Sequence, residues 1–394
     1  MSDSTVIPAI TEAGRRSLKV GIGFGVLAVI GAVLNPAAFY QAYLIGYLFW
    51  LAIALGSLIT LMIHHVTGGA WLCVIRRPME AAIRTLPLLA LLFIPILLGM
   101  SYLYPWSVAE VVAEDYYLQF KAPYLNTTFF VIRAVIYFAV WCTLGHFLVK
   151  WSQEQDRTGD PMLNKSMRVL SGGGIVAYVL TTTFASFDWM MSVDPHWFSS
   201  IYGPIFMVSQ GLGTLCFLLI VVVLLARFEP LSKVVTQDRY HDLGKWLFAL
   251  VMLWAYMMFS QFLIIWSGNL PEHIAWYLRR TDTDWKVLAL ILTIFHFFVP
   301  FIVLLSRLAK KRAGILVKLA IGLLVLRLFD LFWLLAPDLH DGAFFVHWLD
   351  LVVPVALGGV WLALYTKRLG EQSLVVLNDP RFPAKVLQGG GDHD

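Results

Sequence analysis

Charge and cysteine are both scarce in this chain. Only 14% of its 394 residues are Asp, Glu, Lys or Arg, against 59% hydrophobic, and the mean hydropathy is +0.75. A water-soluble domain carries about a quarter charged residues, so ordinary soluble folds are excluded. The three cysteines, Cys73, Cys142 and Cys216, lie far apart in apolar surroundings and are expected to be free, buried thiols. No CxxC pair, CxxCH haem-attachment motif or iron–sulfur spacing occurs, so the chain lacks the ligands for a covalent haem or a cluster of its own. No small-residue cleavage site follows the polar N-terminus MSDSTVIPAITEAGRRSLKV, so a retained first helix is expected rather than a cleaved signal peptide. The net charge of +4 points to no nucleic-acid partner.

What the chain has in quantity is long apolar runs. A hydrocarbon core of about 30 Å needs roughly 20 apolar residues per helix, and ten such runs occur, near 18–35, 40–64, 84–104, 124–150, 168–190, 200–227, 243–267, 285–308, 314–336 and 344–367. With 15 Trp, 15 Tyr and 27 Phe, they suit helices with aromatic belts rather than the short alternating strands of a barrel. The fold class predicted is an all-α integral membrane protein of about ten transmembrane helices. Alternating the faces places 23 of the 29 lysines and arginines on the side holding both termini, leaving Lys121, Arg279, Arg280 and Lys286 opposite and Arg133 and Arg327 inside spans. The positive-inside rule then makes both termini cytoplasmic. One domain, 18–367, is expected between a cytoplasmic segment 1–17 and a mobile cytoplasmic tail 368–394. Loops 105–123 and 268–285 are expected to hold short helices along the outer surface. Gly172, Gly173 and Gly174 point to close helix packing, and Pro87, Pro95 and Pro300 to kinks.

Residues 184–203, FASFDWMMSVDPHWFSSIYG, organise the rest: an apolar run stops at Asp194, Pro195 and His196 and then resumes, with Asp188 one turn inside the first run. An isolated carboxylate there must meet a cation or a proton, and the stretch is expected to form a polar funnel at the outer face. Each ionisable group at mid-membrane costs about 2.5–3.5 kcal/mol on insertion scales, which singles out Arg133, Asp188, His296, Arg327, Asp330, His347 and Asp350. Counted from the helix ends, Arg133, Asp188, Asp330, His347 and Asp350 fall in the outer half, with Arg327 nearer the middle. Arg327 with Asp330, and His347 with Asp350, are each three residues apart and share a helix face. The expectation is one outer cluster able to share protons, against the alternative of ion pairs that lock helices together. His64 and His65 end the second span and His146 lies late in the fourth. They are interfacial residues, the inner mouth of a proton path, or, for His146 with one of the pair, haem b ligands. His296 is either a neutral relay or a satisfied core histidine, and Tyr178 with Thr181, Thr182 and Thr183 offers hydroxyls to line half-paths.

The segments DWMMSVDPHWFSSIYG and QFLIIWSGNLPEHIAWYLRR resemble the second NrfD-like membrane subunit, ActF, of bacterial alternative complex III, a quinol:cytochrome c or quinol:acceptor oxidoreductase. The ten-span topology agrees over nearly the whole chain. The resemblance implies two four-helix bundles plus two peripheral helices and a multi-pass place in the bacterial cytoplasmic membrane. It implies a subunit that binds no cofactor, with iron–sulfur clusters and c-type haems on an iron–sulfur subunit and c-type cytochrome subunits, and a sister NrfD-like membrane subunit and lipids as neighbours. Anchoring and proton conduction are the roles it implies first. A quinone-binding, quinol-oxidising pocket at the outer face, from Asp188, His347 and Asp350, is the alternative, and an independent secondary transporter the third.

Overall fold

The computed structural model describes residues 3–69, 72, 74–229, 231–340, 342–376, 378 and 379; Cys73 and the GGGDHD end of the tail lie outside them. Among the described residues the chain is helical throughout, without a strand. Helices α1 (Asp3–Leu34) and α2 (Pro36–Thr67) are each 32 residues long. The next stretch is broken into α3 (Arg76–Ile83), α4 (Leu86–Leu91), α5 (Ile94–Leu98) and α6 (Met100–Leu103). Pro87 and Pro95 sit in the first turns of α4 and α5, where a missing N–H is harmless and a new helical segment starts. The two prolines thus segment the span more finely than a kink would. A connection carries α7 (Ala109–Glu114) and α8 (Tyr116–Lys121), followed by α9 (Thr127–Thr158), α10 (Met162–Trp189), α11 (Tyr202–Leu225), α12 (Leu231–Val234) and α13 (Gln237–Gly268). Helix α14 (Pro271–Thr281) occupies the other long loop, so both expected loop helices are present. Then come α15 (Trp285–Ile291), a π-helical turn Leu292–Phe298, α16 (Val299–Leu305), α17 (Arg307–Lys311), α18 (Ala313–Leu339) and α19 (Leu349–Gly370). The π turn ends just before Pro300, whose ring cannot donate to the preceding turn, and takes the place of the expected kink.

Nine helical stretches among the described residues are long and apolar enough to cross a membrane, against ten expected. The remaining expected segment, 314–336, ninth in order, is also helical, within the 27-residue α18, and carries Arg327 and Asp330 buried in its length. Helix α2 is the hub, packed on α10, α11 and α19. A Cβ placed at Gly56 would lie 2.4 Å from the Gln210 carbonyl oxygen, and one at Gly46 3.0 Å from Pro354, so small residues set these approaches. Helix α1 packs chiefly on α19, and a Cβ at Gly21 would stand 2.8 Å from the Gly359 backbone. Of the three consecutive glycines only Gly174 packs closely, against Met62 and Leu144, while Gly172 and Gly173 meet nothing within 4 Å. Cys216 is buried and Cys142 half-buried, both free.

Two boundaries move outward from their expected places. Helix α1 starts at Asp3 instead of 18, since Val6 and Ile10 are buried and border the same cavity as Leu369 and Leu374. The segment after Gly370 is held as far as Asp379: Gln372 donates to the Arg77 carbonyl, Asn378 to that of Asp156, and Asp379 pairs with Arg76. The described part of the tail is therefore docked, where mobility was expected.

Candidate functional site

The break after α10 is closed, not open. Asp194 accepts from Arg279 Nη2 at 2.7 Å, and Arg279 Nη1 reaches Asp338 at 2.9 Å. Arg280, with no exposed surface, donates to Asp338 at 2.7 Å and to the carbonyls of Trp276, Trp333 and Leu334, while its guanidinium lies 3.5 Å from the centre of the Trp276 ring. Trp197 stacks on Trp276 at 4.6 Å. Lys121 donates to the Pro195 carbonyl, and His196 meets Asp115 at 2.6 Å. Helix α14 on one side and Asp115 and Lys121 at the two ends of α8 on the other thus latch the segment, and the expected funnel is filled by its own ion pairs. Outside the spans, burial raises the Asp115 carboxyl, but the N–H groups of Leu118 and Tyr117, and then His196, outweigh it and hold the group below the usual carboxylate range.

One turn deeper, Asp188 is fully buried and held by two parallel bonds from Arg133, both 2.8 Å. Tyr137 adds a third at 2.7 Å. Arg133 also donates to the Tyr124 carbonyl at 2.9 Å, with its guanidinium 3.9 Å from the centre of the Tyr124 ring. These residues meet because Asn126 caps α9, accepting from the Phe129 amide, and so fixes where that helix begins. Both oxygens of this carboxylate accept from protein donors, a strongly stabilised charged pair.

The other expected members do not join it. Arg327 and Asp330 pair with each other within α18. Asp350 accepts from the His347 amide at 2.8 Å and, lying in the first turn of α19, helps start that helix. Among the described residues no hydrogen bond or ion pair links these three units, because each carboxylate closes on its nearest donor in sequence or across a single helix contact. Asp188, His347 and Asp350 therefore share no hydrogen-bonded pocket. His64 and His65 are buried at the end of α2, their rings 5.6 Å apart, whereas His146 is exposed on α9. His296 has no exposed surface, its ring lies 4.1 Å from that of Trp254, and neither ring nitrogen finds a hydrogen bond among the described residues.

Between the charged latch and the opposite end of the bundle runs a buried polar seam. Ser171, Tyr178 and Thr182 are buried on α10, separated by seven and four residues and hence on one face over about 16 Å. On α11 Gln210 meets this row, and Ser209, next to it in sequence, is also buried. Tyr178 donates to Gln210 Oε1. The hydroxyls of Ser171, Thr182 and Ser209 and the Gln210 amide nitrogen make no well-formed hydrogen bond among the described residues, although Thr182 lies beside the Tyr178 hydroxyl. Of the seam only Tyr178 and Thr182 were marked in the sequence. Thr181 faces elsewhere, accepting from Trp141 at 2.9 Å.

A second feature passed over in the sequence lies at the far end. Arg76, Arg77 and Glu80 have no exposed surface. Arg76 reaches Glu80, Ser152 and Asp379, and Arg77 reaches Glu80 and Asp156. Its signal was the RRPME spacing, which puts Glu80 three and four residues after the two arginines. With the basic side taken as solvent-facing, nothing marked the pair as buried. Among the described residues no group of His, Cys, Asp and Glu is arranged to hold a metal ion. No family model matches the chain, and no curated protein matches it.

Proposed function

We propose that the chain is a membrane-embedded subunit of a respiratory quinol-oxidising electron-transfer complex, anchoring it and carrying protons through polar half-paths between helices. The observation that carries this is the seam of Ser171, Tyr178, Thr182, Ser209 and Gln210. Buried hydroxyls and amides are nearly always bonded, and unsatisfied ones at helical spacing suit a file of ordered water, the usual vehicle of proton movement through a helical bundle. The Arg133–Asp188 pair above it acts as an electrostatic stop, a buried ion pair closed by its own hydrogen bonds. His296, buried and unbonded, suits a neutral relay further across. The wider setting rests on the resemblance of residues 188–203 and 261–280: ten spans with α18 as the ninth, cytoplasmic termini, two four-helix bundles with α1 and α19 outside, and partner subunits carrying the redox centres in a bacterial cytoplasmic membrane. The mutual packing of α1 and α19 and the hub position of α2 support that arrangement.

The test uses the purified complex in liposomes. Thr182→Val with Ser209→Ala removes two hydroxyls from the seam at nearly constant volume. Protons released per electron should fall while quinol turnover with the lipid bilayer uncoupled stays near that of the parent. Unchanged stoichiometry overturns proton conduction by this seam.

A further inference from the structure

Helix α17 crosses the first turns of α13 at the end of the bundle where α13 begins and α16 ends. The crossing is tight because α13 offers a glycine there: a Cβ at Gly244 would lie 2.9 Å from both Cβ and Cγ of Lys310. It collects Arg239 and Lys245 from α13 with Arg307, Lys310, Lys311 and Arg312 from α17 and its C-cap. His241 lies among them, close enough to feel Lys245, Lys310 and Arg307. Two carboxylates answer these six cations: Asp238 takes Lys311 at 2.9 Å, and Asp242 takes Lys245 at 2.8 Å and Arg239 at 4.0 Å. Among the described residues these pairs leave Arg307, Lys310 and Arg312 unmatched, and Arg307 and Arg312 are exposed.

A surplus of basic side chains at the end of a membrane-length helix attracts anionic headgroups. Beside it the surface turns apolar and stays open. Lys245, Ala249, Met252 and Tyr256 are all exposed on α13, at spacings of four, three and four residues that place them on one face. From Lys245 to Tyr256 is about 16 Å along the helix axis, the depth of one leaflet of a hydrocarbon core about 30 Å thick. A soluble anion would satisfy the cations and leave the stripe bare, whereas an uncharged lipid would cover the stripe and leave the cations unmatched. We propose that Arg307, Lys310 and Arg312 hold the headgroup of an anionic phospholipid whose acyl chain lies along Ala249, Met252 and Tyr256. The site requires only that the chain spans a membrane, and it does not depend on what the polar seam conducts.

In the test, the full chain in detergent is labelled with phosphatidylglycerol carrying a diazirine in its acyl chain, and the cross-links are mapped by peptide mass spectrometry. They should concentrate on the α13 peptide that holds Met252 and Tyr256. Unlabelled phosphatidylglycerol should compete about tenfold better than phosphatidylcholine, the increment of a net negative charge beside several cations. The advantage should vanish at about 1 M salt, where screening acts over about 3 Å. Arg307→Gln, Lys310→Gln and Arg312→Gln together keep the Lys310 Cβ and Cγ positions on Gly244 and should remove the advantage while the protein stays monodisperse. Arg15→Gln, Lys19→Gln and Lys165→Gln together remove as much charge from exposed positions elsewhere and should leave it intact. Equal competition by the two lipids, equal loss in the two triple variants, displacement of the probe by millimolar inorganic phosphate at constant ionic strength, or cross-links spread evenly over exposed helices would each overturn the proposal.

Discussion

Arg133 on α9 and Asp188 on α10 face each other with Nε to Oδ2 and Nη2 to Oδ1, both at 2.8 Å, a two-pronged clasp between residues 55 positions apart in sequence on successive helices. Removing one partner leaves the other charge buried and unpaired, which costs about 3–5 kcal/mol. Asp188→Ala should therefore lower the apparent melting temperature in detergent far more than the double change Arg133→Met with Asp188→Leu, which replaces both charges by apolar groups. Equal losses for the single and double variants would show that the pair contributes shape and not charge compensation.

The Arg76, Arg77 and Glu80 cluster makes a second prediction. Two arginines face one internal carboxylate, and Asp156 and Asp379 supply the remaining charges from α9 and the tail. Asp379→Ala, or truncation after Gly370, should leave Arg76 under-compensated and destabilise the whole bundle. Thermal inactivation measured as loss of monodisperse protein on a sizing column should quicken several-fold. Glu371→Ala is the control, because its partners Arg84 and Arg368 are partly exposed and surface pairs contribute about 0–1 kcal/mol.

A third concerns pH at the latched loop. The Asp115 carboxyl is net lowered: burial pushes it up, and the Leu118 and Tyr117 amides together with His196 pull it further down. A lowered folded-state value means that the stabilisation is present above the unfolded carboxylate range, about 3.9, and is lost as pH falls through the folded value. Hydrogen exchange of the Tyr117 and Leu118 amides, corrected for intrinsic rates, should show protection at pH 6 that fades below pH 4. Asp115→Ala should remove the protection at both pH values, while Asp115→Asn should keep much of it and lose its pH dependence, since an amide oxygen also caps a helix.

Much of the architecture was legible in the apolar runs, since only a helix satisfies its own backbone in lipid. The loop helices followed from local sequence as well. What could not be read was partnership. Asp188, Asp330 and Asp350 were expected at overlapping depths, because residue count along a helix is all that the sequence offers. Whether they meet depends on the rotation of each helix about its axis, and that is settled by packing at contacts such as Gly56 on Gln210.

The sequence alone determined that this is a chain of membrane-length helices, because composition and run length decide which backbone can be buried in hydrocarbon. The tertiary structure decided that its ionisable groups form separate closed pairs, that the tail returns to cover two buried arginines, and that uncharged hydroxyls line the seam. Those outcomes turn on side-chain contacts between residues as far as 303 positions apart, where the energy of a buried charge depends on atoms within a few ångströms and not on its neighbours in the chain.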